Sequence, residues 1–167
     1  MKAILLGRRK ANERISTSEL VVGLKKLLSR YLGQIKHVII HRDGRFLEGE
    51  LDDFIIVLNN VGISKVSLVA VKKSNHTAIT AAEEGTKLRL SGERYLLLTN
   101  TQSELARPLE IELMHSDKLT LDEIVSQVFW LSRVFLNNVQ HPSTIPATTH
   151  WANGIACTGK VTPLSGW

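Results

Sequence analysis

The hydrophobic pattern of the chain changes period repeatedly between residues 17 and 71. From about residue 17 to Gly33, apolar side chains recur every three or four positions, which predicts an amphipathic helix that Gly33 ends. Residues 47–60 repeat the same spacing and predict a second helix, which Gly62 ends. Short loops bound both helices. The pattern is therefore typical of a chain in which helices alternate with strands.

Two apolar runs alternate with these helices and predict two buried strands. Residues 38–43 are rich in β-branched side chains and end in Asp43, and residues 66–71 are continuously apolar, as in a strand covered on both faces. A strand, a helix and a second strand with short loops form a right-handed crossover, so we expect a parallel pair. In open α/β sheets, ligands bind beyond the carboxyl ends of the strands, where Asp43 would lie.

The second half of the chain has a different pattern. Four further short strands are predicted between glycine turns, over residues 77–80, 87–90, 94–99 and 109–114. We interpret these strands as an antiparallel insertion. A long helix is expected over residues 121–136 and a short one over residues 147–156, while residues 1–7 are expected to form an edge strand. Together these elements predict one α/β domain.

Composition narrows the class of protein. The 167 residues suffice for one domain with a hydrophobic core. No apolar run reaches the roughly 18 residues that a membrane span needs, and Cys157 is the only cysteine, so we expect a cytoplasmic protein without a membrane partner. The net charge of +5 is a hint of a polyanionic partner, although a mildly basic protein without one has the same charge.

Five short motifs identify a resemblance to a known family. They are residues 12–15 (NERI), 39–44 (IIHRDG), 71–74 (VKKS), 106–109 (ARPL) and 145–147 (IPA), the last leading to residues 151–153 (WAN). In this order and spacing they resemble the C-terminal part of the Piwi domain of Argonaute proteins, most closely the prokaryotic ones. The resemblance implies that residues 1–167 form a partial Piwi domain. The implied fold is a ribonuclease H-like mixed sheet flanked by helices and lacking the family's first strand.

The resemblance also implies a metal site. Nuclease members of the family cut the target strand that is paired to a guide. Their acidic side chains hold the two divalent cations that this reaction needs. Asp43 resembles the metal-bridging aspartate, Glu13 the catalytic loop glutamate, and Asn153 occupies a position where nuclease members have Asp or His. Asp43 and Asn153 would bind Mg²⁺ or Mn²⁺, weakly because asparagine carries no charge. Alternatively, Glu13 is a solvated loop acid, Asn153 only stabilises its helix, or His150 substitutes for Asn153.

A second implication of the resemblance is a groove for nucleic acid. The basic residues expected to line it are Lys72, Lys73, His76, Arg107 and Arg133. Such residues contact phosphates and position a strand without reading its sequence. Each could instead be a solvated cation, and Arg133 could extend along its own helix with only its head in water.

Three functions follow from these observations. The first is a nucleic-acid-binding Piwi fragment that contacts a guide–target duplex in guide-dependent silencing and does not cleave it. The second is a metal-dependent guided endonuclease completed by missing segments or by a second protein chain that supplies the missing Argonaute parts. The third is a protein interaction module, because a sheet without the family's first strand exposes apolar edges. The first is favoured, since no acidic residue precedes Glu13 to serve as the family's first aspartate.

Overall fold

A computed structural model describes residues 17–29, 31, 33–72, 77–80, 82–90, 92–101, 106–134, 145–150 and 152. The elements within these ranges are, in chain order, α1 (Thr17–Leu28), β1 (Val38–Asp43), α2 (Glu50–Asn60), β2 (Val66–Lys72), β3 (Lys87–Arg89), β4 (Arg94–Leu97), β5 (Leu109–Ser116) and α3 (Leu121–Arg133). None of the described helices is long and apolar enough to cross a membrane.

The five strands form one mixed sheet in the order β1-β2-β5-β4-β3. β1 and β2 are parallel, with Val38 opposite Val66 and Asp43 opposite Val71, which confirms the predicted crossover. β5 pairs antiparallel with β2, and β4 and β3 continue the sheet with antiparallel pairing. The antiparallel pairing predicted for these later strands is confirmed, and β5 joins them directly to the β1–β2 pair in one sheet.

Different helices cover the two faces of the sheet. On one face α1 and α2 bury a cluster that includes Leu24, Leu58 and Leu68. On the other face α3 buries a second cluster around Ile124 and Val69. Because β2 contributes to both clusters, every position along it is buried except the last. This two-sided burial explains why its sequence is continuously apolar rather than alternating.

Capping chemistry sets the start of α3. The Thr120 side chain accepts a hydrogen bond from the Glu123 amide at 3.3 Å, and the Glu123 carboxylate accepts one from the Thr120 amide at 2.8 Å. This reciprocal pair is a capping box, which satisfies amides that a helix start leaves without partners. α3 therefore begins at Leu121, as its apolar spacing predicts, and ends at Arg133 rather than at residue 136.

Other element boundaries also differ from the predictions. α1 ends at Leu28, well before Gly33, and β1 is half-buried rather than buried because it forms one end of the sheet among the described strands. Residues 77–80 form only an isolated bridge, between Ile79 and Ala106. The strand predicted over residues 1–7 and most of the helix predicted over residues 147–156 lie outside the described residues, although residues 147–150 are helical.

Candidate functional site

Asp43 is the last residue of β1, at the carboxyl edge of the parallel pair. Gly44 follows with φ 85°, a conformation that favours glycine, and its amide donates to the Val71 carbonyl at 3.0 Å. The chain therefore turns away directly after Asp43 and leaves a half-buried carboxylate at the sheet edge. The predicted position of Asp43 is confirmed, whereas its role as a metal ligand stays a prediction.

Asp43 and Lys72 lie at the same sheet edge but on opposite faces. Asp43 is level with Val71, whose side chain packs in the α3 cluster. Side chains alternate along a strand, so Lys72 projects to the α1–α2 face. There its Nζ donates to Glu110 Oε1 at 2.7 Å and to Glu112 Oε2 at 2.5 Å. A single groove on the Asp43 face would therefore not contain the Lys72 ammonium.

The charge of Lys72 is compensated by ion pairs within the fold. Only 13% of its side chain is exposed, compared with 17% for Glu110 and 29% for Glu112. Burial alone would lower the pKa of Lys72, but the hydrogen bonds to the two glutamates raise it above its usual value. The ammonium is thus held protonated between β2 and β5. A role for Lys72 in phosphate binding remains a prediction that must compete with these ion pairs.

Arg133, like Lys72, is bound to partners within the fold. Its Nη2 donates to Glu84 Oε2 and to the Thr99 carbonyl, both at 2.8 Å. The guanidinium also lies 4.7 Å from the centre of the Phe129 ring, at a distance typical of a cation–π contact. These contacts join the end of α3 to the loop that contains Glu84. Like Lys72, Arg133 could contact nucleic acid only in competition with partners that it already has.

Two exposed arginines have no such constraint. Arg107, predicted as a nucleic-acid contact, is exposed, and so is Arg45, directly after the Asp43–Gly44 turn. Neither makes an ion pair with another residue in the described ranges. Sequence reasoning did not single out Arg45, although its place after the turn could have indicated it. Lys73 and His76, the other predicted contacts, lie outside the described residues.

His41 joins β1 to a distant part of the chain. Its Nδ1 and Thr148 Oγ1 are 2.8 Å apart, a hydrogen bond between residues 107 positions apart in the sequence. Burial lowers the pKa of His41 to about 4, so the imidazole is neutral near pH 7. Sequence reasoning treated His41 only as part of a motif and did not consider Thr148. No local pattern could have paired them, because the contact depends on where residues 145–150 dock.

The described residues supply only part of the predicted metal site. No group of three His, Cys, Asp or Glu side chains among them could hold a metal ion, and Glu13 and Asn153 lie outside these residues. The Asp43 carboxylate is a hard oxygen donor of the kind that Mg²⁺ and Mn²⁺ use, so its chemistry fits one ligand of the predicted ion. His150, the alternative to Asn153, is half-buried on the helical turn at 147–150.

No protein-family model and no curated protein matches the chain, but several solved structures do. Clostridium butyricum Argonaute, bound to a guide DNA and a 19-mer target DNA, matches with a TM-score of 0.73 and 21% identity, over 89% of this chain and 21% of that one. Marinitoga piezophila Argonaute, in complex with a 5′ OH guide RNA and target DNA, matches with a TM-score of 0.69 and 24% identity, over 88% and 23%.

Aquifex aeolicus Argonaute matches similarly, with a TM-score of 0.70 and 21% identity, over 90% of this chain and 23% of that one. The chain has the fold of an Argonaute Piwi domain. This confirms the predicted α/β class, a ribonuclease H-like mixed sheet flanked by helices, and the resemblance to the prokaryotic proteins. The chain spans less than a quarter of the length of these Argonautes. At these identities the similarity establishes the fold.

Proposed function

We propose that this chain binds nucleic acid as a partial Piwi domain, contacting the phosphates of a guide–target duplex without reading its sequence. The observation that most directly supports this proposal is the fold shared with the Clostridium butyricum and Marinitoga piezophila Argonautes, whose structures contain guide and target strands. The net charge of +5 supports the same conclusion, since phosphate contacts made by basic side chains dominate binding of this kind. The cellular setting that we propose is guide-dependent silencing in a prokaryotic cytoplasm.

The exposed cations are the best candidates for these contacts. Arg107 and Arg45 have charges that no described residue compensates through an ion pair, and the resemblance adds Lys73 and His76. Lys72 and Arg133, by contrast, would have to exchange carboxylate partners for phosphates. We therefore assign Lys72 and Arg133 primarily to stability and the exposed cations to binding.

We also propose that the chain does not cleave nucleic acid by itself. Two divalent ions bring four positive charges into one site and repel each other strongly unless carboxylates lie between and around them. The resemblance provides only Glu13 and Asp43 as carboxylates, with neutral Asn153 at the remaining position. A single Mg²⁺ or Mn²⁺ could bind weakly at Asp43, but it would stabilise only one of the two reacting oxygens.

A salt titration tests the binding proposal. Fluorescence anisotropy with a labelled duplex should show log K falling linearly with log salt, with the same affinity for a duplex of scrambled sequence. Arg107→Ala and Lys73→Ala should each reduce the slope by about 0.9 on duplex DNA, as expected for one lost phosphate contact. Lys72→Ala is the matched control and should leave the slope unchanged. Undetectable or salt-independent binding by the wild type would refute the proposal.

A guided cleavage assay separates this function from the endonuclease alternative, which the position of Asp43 at the sheet edge favours. With guide, target and Mg²⁺ or Mn²⁺, the wild type should not cut, and neither should Asn153→Asp, because the resemblance then supplies only three carboxylates for the four positive charges of two ions. Wild-type cutting that Asp43→Ala abolishes would establish the endonuclease instead. A second copy of the chain or another protein would then have to supply the missing carboxylate.

A further inference from the structure

A cavity of about 240 Å³ lies on the α1–α2 face of the sheet, next to the loop that follows β1. Charged residues from four segments of the chain line it, namely Arg45, Lys72, Arg94 and Glu112. Strand register explains why three of them meet. Glu112 is opposite Arg94 on β4 and bonds to Lys72 on β2, so these side chains project from the same face. Arg45 reaches the cavity from the loop.

The charges around the cavity leave an excess of positive charge. Lys72 bridges Glu110 and Glu112. Arg94 Nη1 lies 3.8 Å from Glu110 Oε1, and 40% of the Arg94 side chain is exposed. Two cations thus face two carboxylates, and exposed Arg45 adds a positive charge that no ion pair with a described residue compensates. A concave surface with a net positive charge and two accessible guanidinium groups favours an anion.

Contacts within the fold hold the loop that carries Arg45. Only 4% of Glu50 is exposed, and its carboxylate accepts a hydrogen bond from the Leu47 amide at 2.9 Å. The Phe46 ring packs edge-to-face against Phe54, with the ring centres 6.1 Å apart. The two residues that follow Arg45 are therefore fixed. Because this backbone is already ordered, a ligand of Arg45 has to order little more than the side chain.

The size and the walls of the cavity narrow the kind of anion. Pockets that enclose a drug-sized ligand measure about 300–1,000 Å³, so this smaller cavity suits a smaller group. Guanidinium groups bind phosphate through paired, planar hydrogen bonds. Phe46 and Met114 add apolar surface beside them, which suits the C–H groups of a sugar. One phosphate with its sugar fits the charge and the size of the cavity.

We propose that this cavity binds one phosphate with its sugar, through the guanidinium groups of Arg45 and Arg94. The inference rests on the proposed binding of nucleic acid and deepens it, since the phosphate belongs either to a strand or to a free nucleotide. The Glu112 carboxylate repels the phosphate and so limits its affinity. Because the cavity is on the α1–α2 face, a phosphate held there lies across the sheet from Asp43.

The first test removes the two guanidinium groups. On the full chain, with a labelled DNA duplex, the double variant Arg45→Ala, Arg94→Ala should lower the slope of log K against log salt by about 0.9, as expected for one lost phosphate contact. The matched control is Lys25→Ala, Lys26→Ala, which removes two exposed charges of α1 outside the cavity. The control should leave the slope unchanged.

The second test adds affinity instead of removing it. Glu112→Gln removes the repelling charge at nearly constant shape, and should tighten duplex binding about threefold, the size of effect that one exposed charge pair produces. A loss of folded protein would weaken binding, so it does not produce this gain. Glu83→Gln removes the same charge at an exposed position outside the cavity and should bind as the wild type does.

Two failures are distinguishable in this design. If the wild type binds the duplex but neither the double variant nor Glu112→Gln differs from it, the chain binds nucleic acid elsewhere and the inference is overturned. If the wild type binds no duplex, the proposed function is wrong, and adenosine monophosphate then tests the cavity alone. Nuclear magnetic resonance should show this nucleotide shifting the Phe46 and Leu47 amide signals in the wild type and not in the double variant. Shifts of this kind assign the cavity to free nucleotides, and their absence overturns the inference.

Discussion

The two ends of β2 are joined to β5 by different chemistry. At the beginning of β2, Ser67 Oγ and Ser116 Oγ are hydrogen-bonded at 2.8 Å. At its end, the Lys72 ammonium bridges Glu110 and Glu112. Both contacts cross the same pair of antiparallel strands, but the first uses neutral hydroxyl groups and the second uses three charges. The end with the charges is also the sheet edge that carries Asp43.

The Ser67 end continues into contacts made by a histidine and an aspartate. His37 Nε2 lies 3.0 Å from Ser67 Oγ, and the Asp117 carboxylate accepts a hydrogen bond from the Val66 amide at 2.9 Å. That backbone hydrogen bond lowers the pKa of Asp117, which is largely exposed. Burial, followed by the nearby charge of Lys118, lowers the pKa of His37. This end should therefore respond to pH.

The two ends show that a cation at a sheet edge can already have partners within the fold. Lys72 is the last residue of a buried strand, at the edge where ligands are expected, and this position suggested a phosphate contact. Its partners on β5 compensate the charge of this half-buried ammonium, and its contact with a phosphate stays a prediction. Exposed Arg107 is less prominent in the sequence but has no such partner among the described residues.

Loss of the Lys72 ammonium should have the largest effect. Lys72→Ala leaves Glu110 and Glu112 close together with little solvent, and we expect it to lower the free energy of unfolding by about 2 kcal/mol. Chemical denaturation measures the change. Lys36→Ala, at an exposed position, is the control and should stay within about 0.5 kcal/mol of the wild type. Equal effects of the two substitutions would show that the ion pairs contribute nothing.

Removal of the Ser67 hydroxyl should have a smaller effect. Ser67 is completely buried, so Ser67→Ala deprives His37 and Ser116 of one partner each, at a cost of about 1 kcal/mol. The cost is limited because the Ser116 hydroxyl keeps its hydrogen bond to the Leu119 carbonyl at 2.8 Å. Ser29→Ala, at the exposed position directly after α1, provides the baseline in the same denaturation experiment. A loss at Ser67 as large as that at Lys72 would contradict the contrast between the two ends.

The pH response should be the smallest effect. Because the pKa of folded His37 lies below its unfolded value of about 6.5, its contribution to stability is complete above that pH and declines as the pH falls below it. The unfolded chain then binds the proton more readily. We expect the wild type to lose more stability than His37→Gln between pH 7.5 and 5.5. The other histidines contribute equally to the pH dependence of both proteins, so the difference between the two curves reports His37. Parallel stability curves would exclude His37 as the group that titrates.

The sequence by itself determined the elements that hydrophobic periodicity encodes. The spans of β1, α2 and β2 and their parallel crossover follow from local patterns, since burial on one or two faces imposes a period that is visible within a few residues. The place of Asp43 followed as well, because an apolar run that ends in Asp43–Gly44 indicates both a strand end and a turn. The fold class was thus predictable from short windows together with the family motifs.

Only the tertiary structure decided which of these elements meet. The pairing of β5 with β2 places Lys72 against Glu110 and Glu112, 38 and 40 residues away, and the docking of residues 145–150 brings Thr148 to His41 across 107 residues. Strand register also puts Asp43 and Lys72 on opposite faces, since a shift of one residue reverses the direction of every side chain. These outcomes depend on packing between distant segments, which local periodicity does not encode.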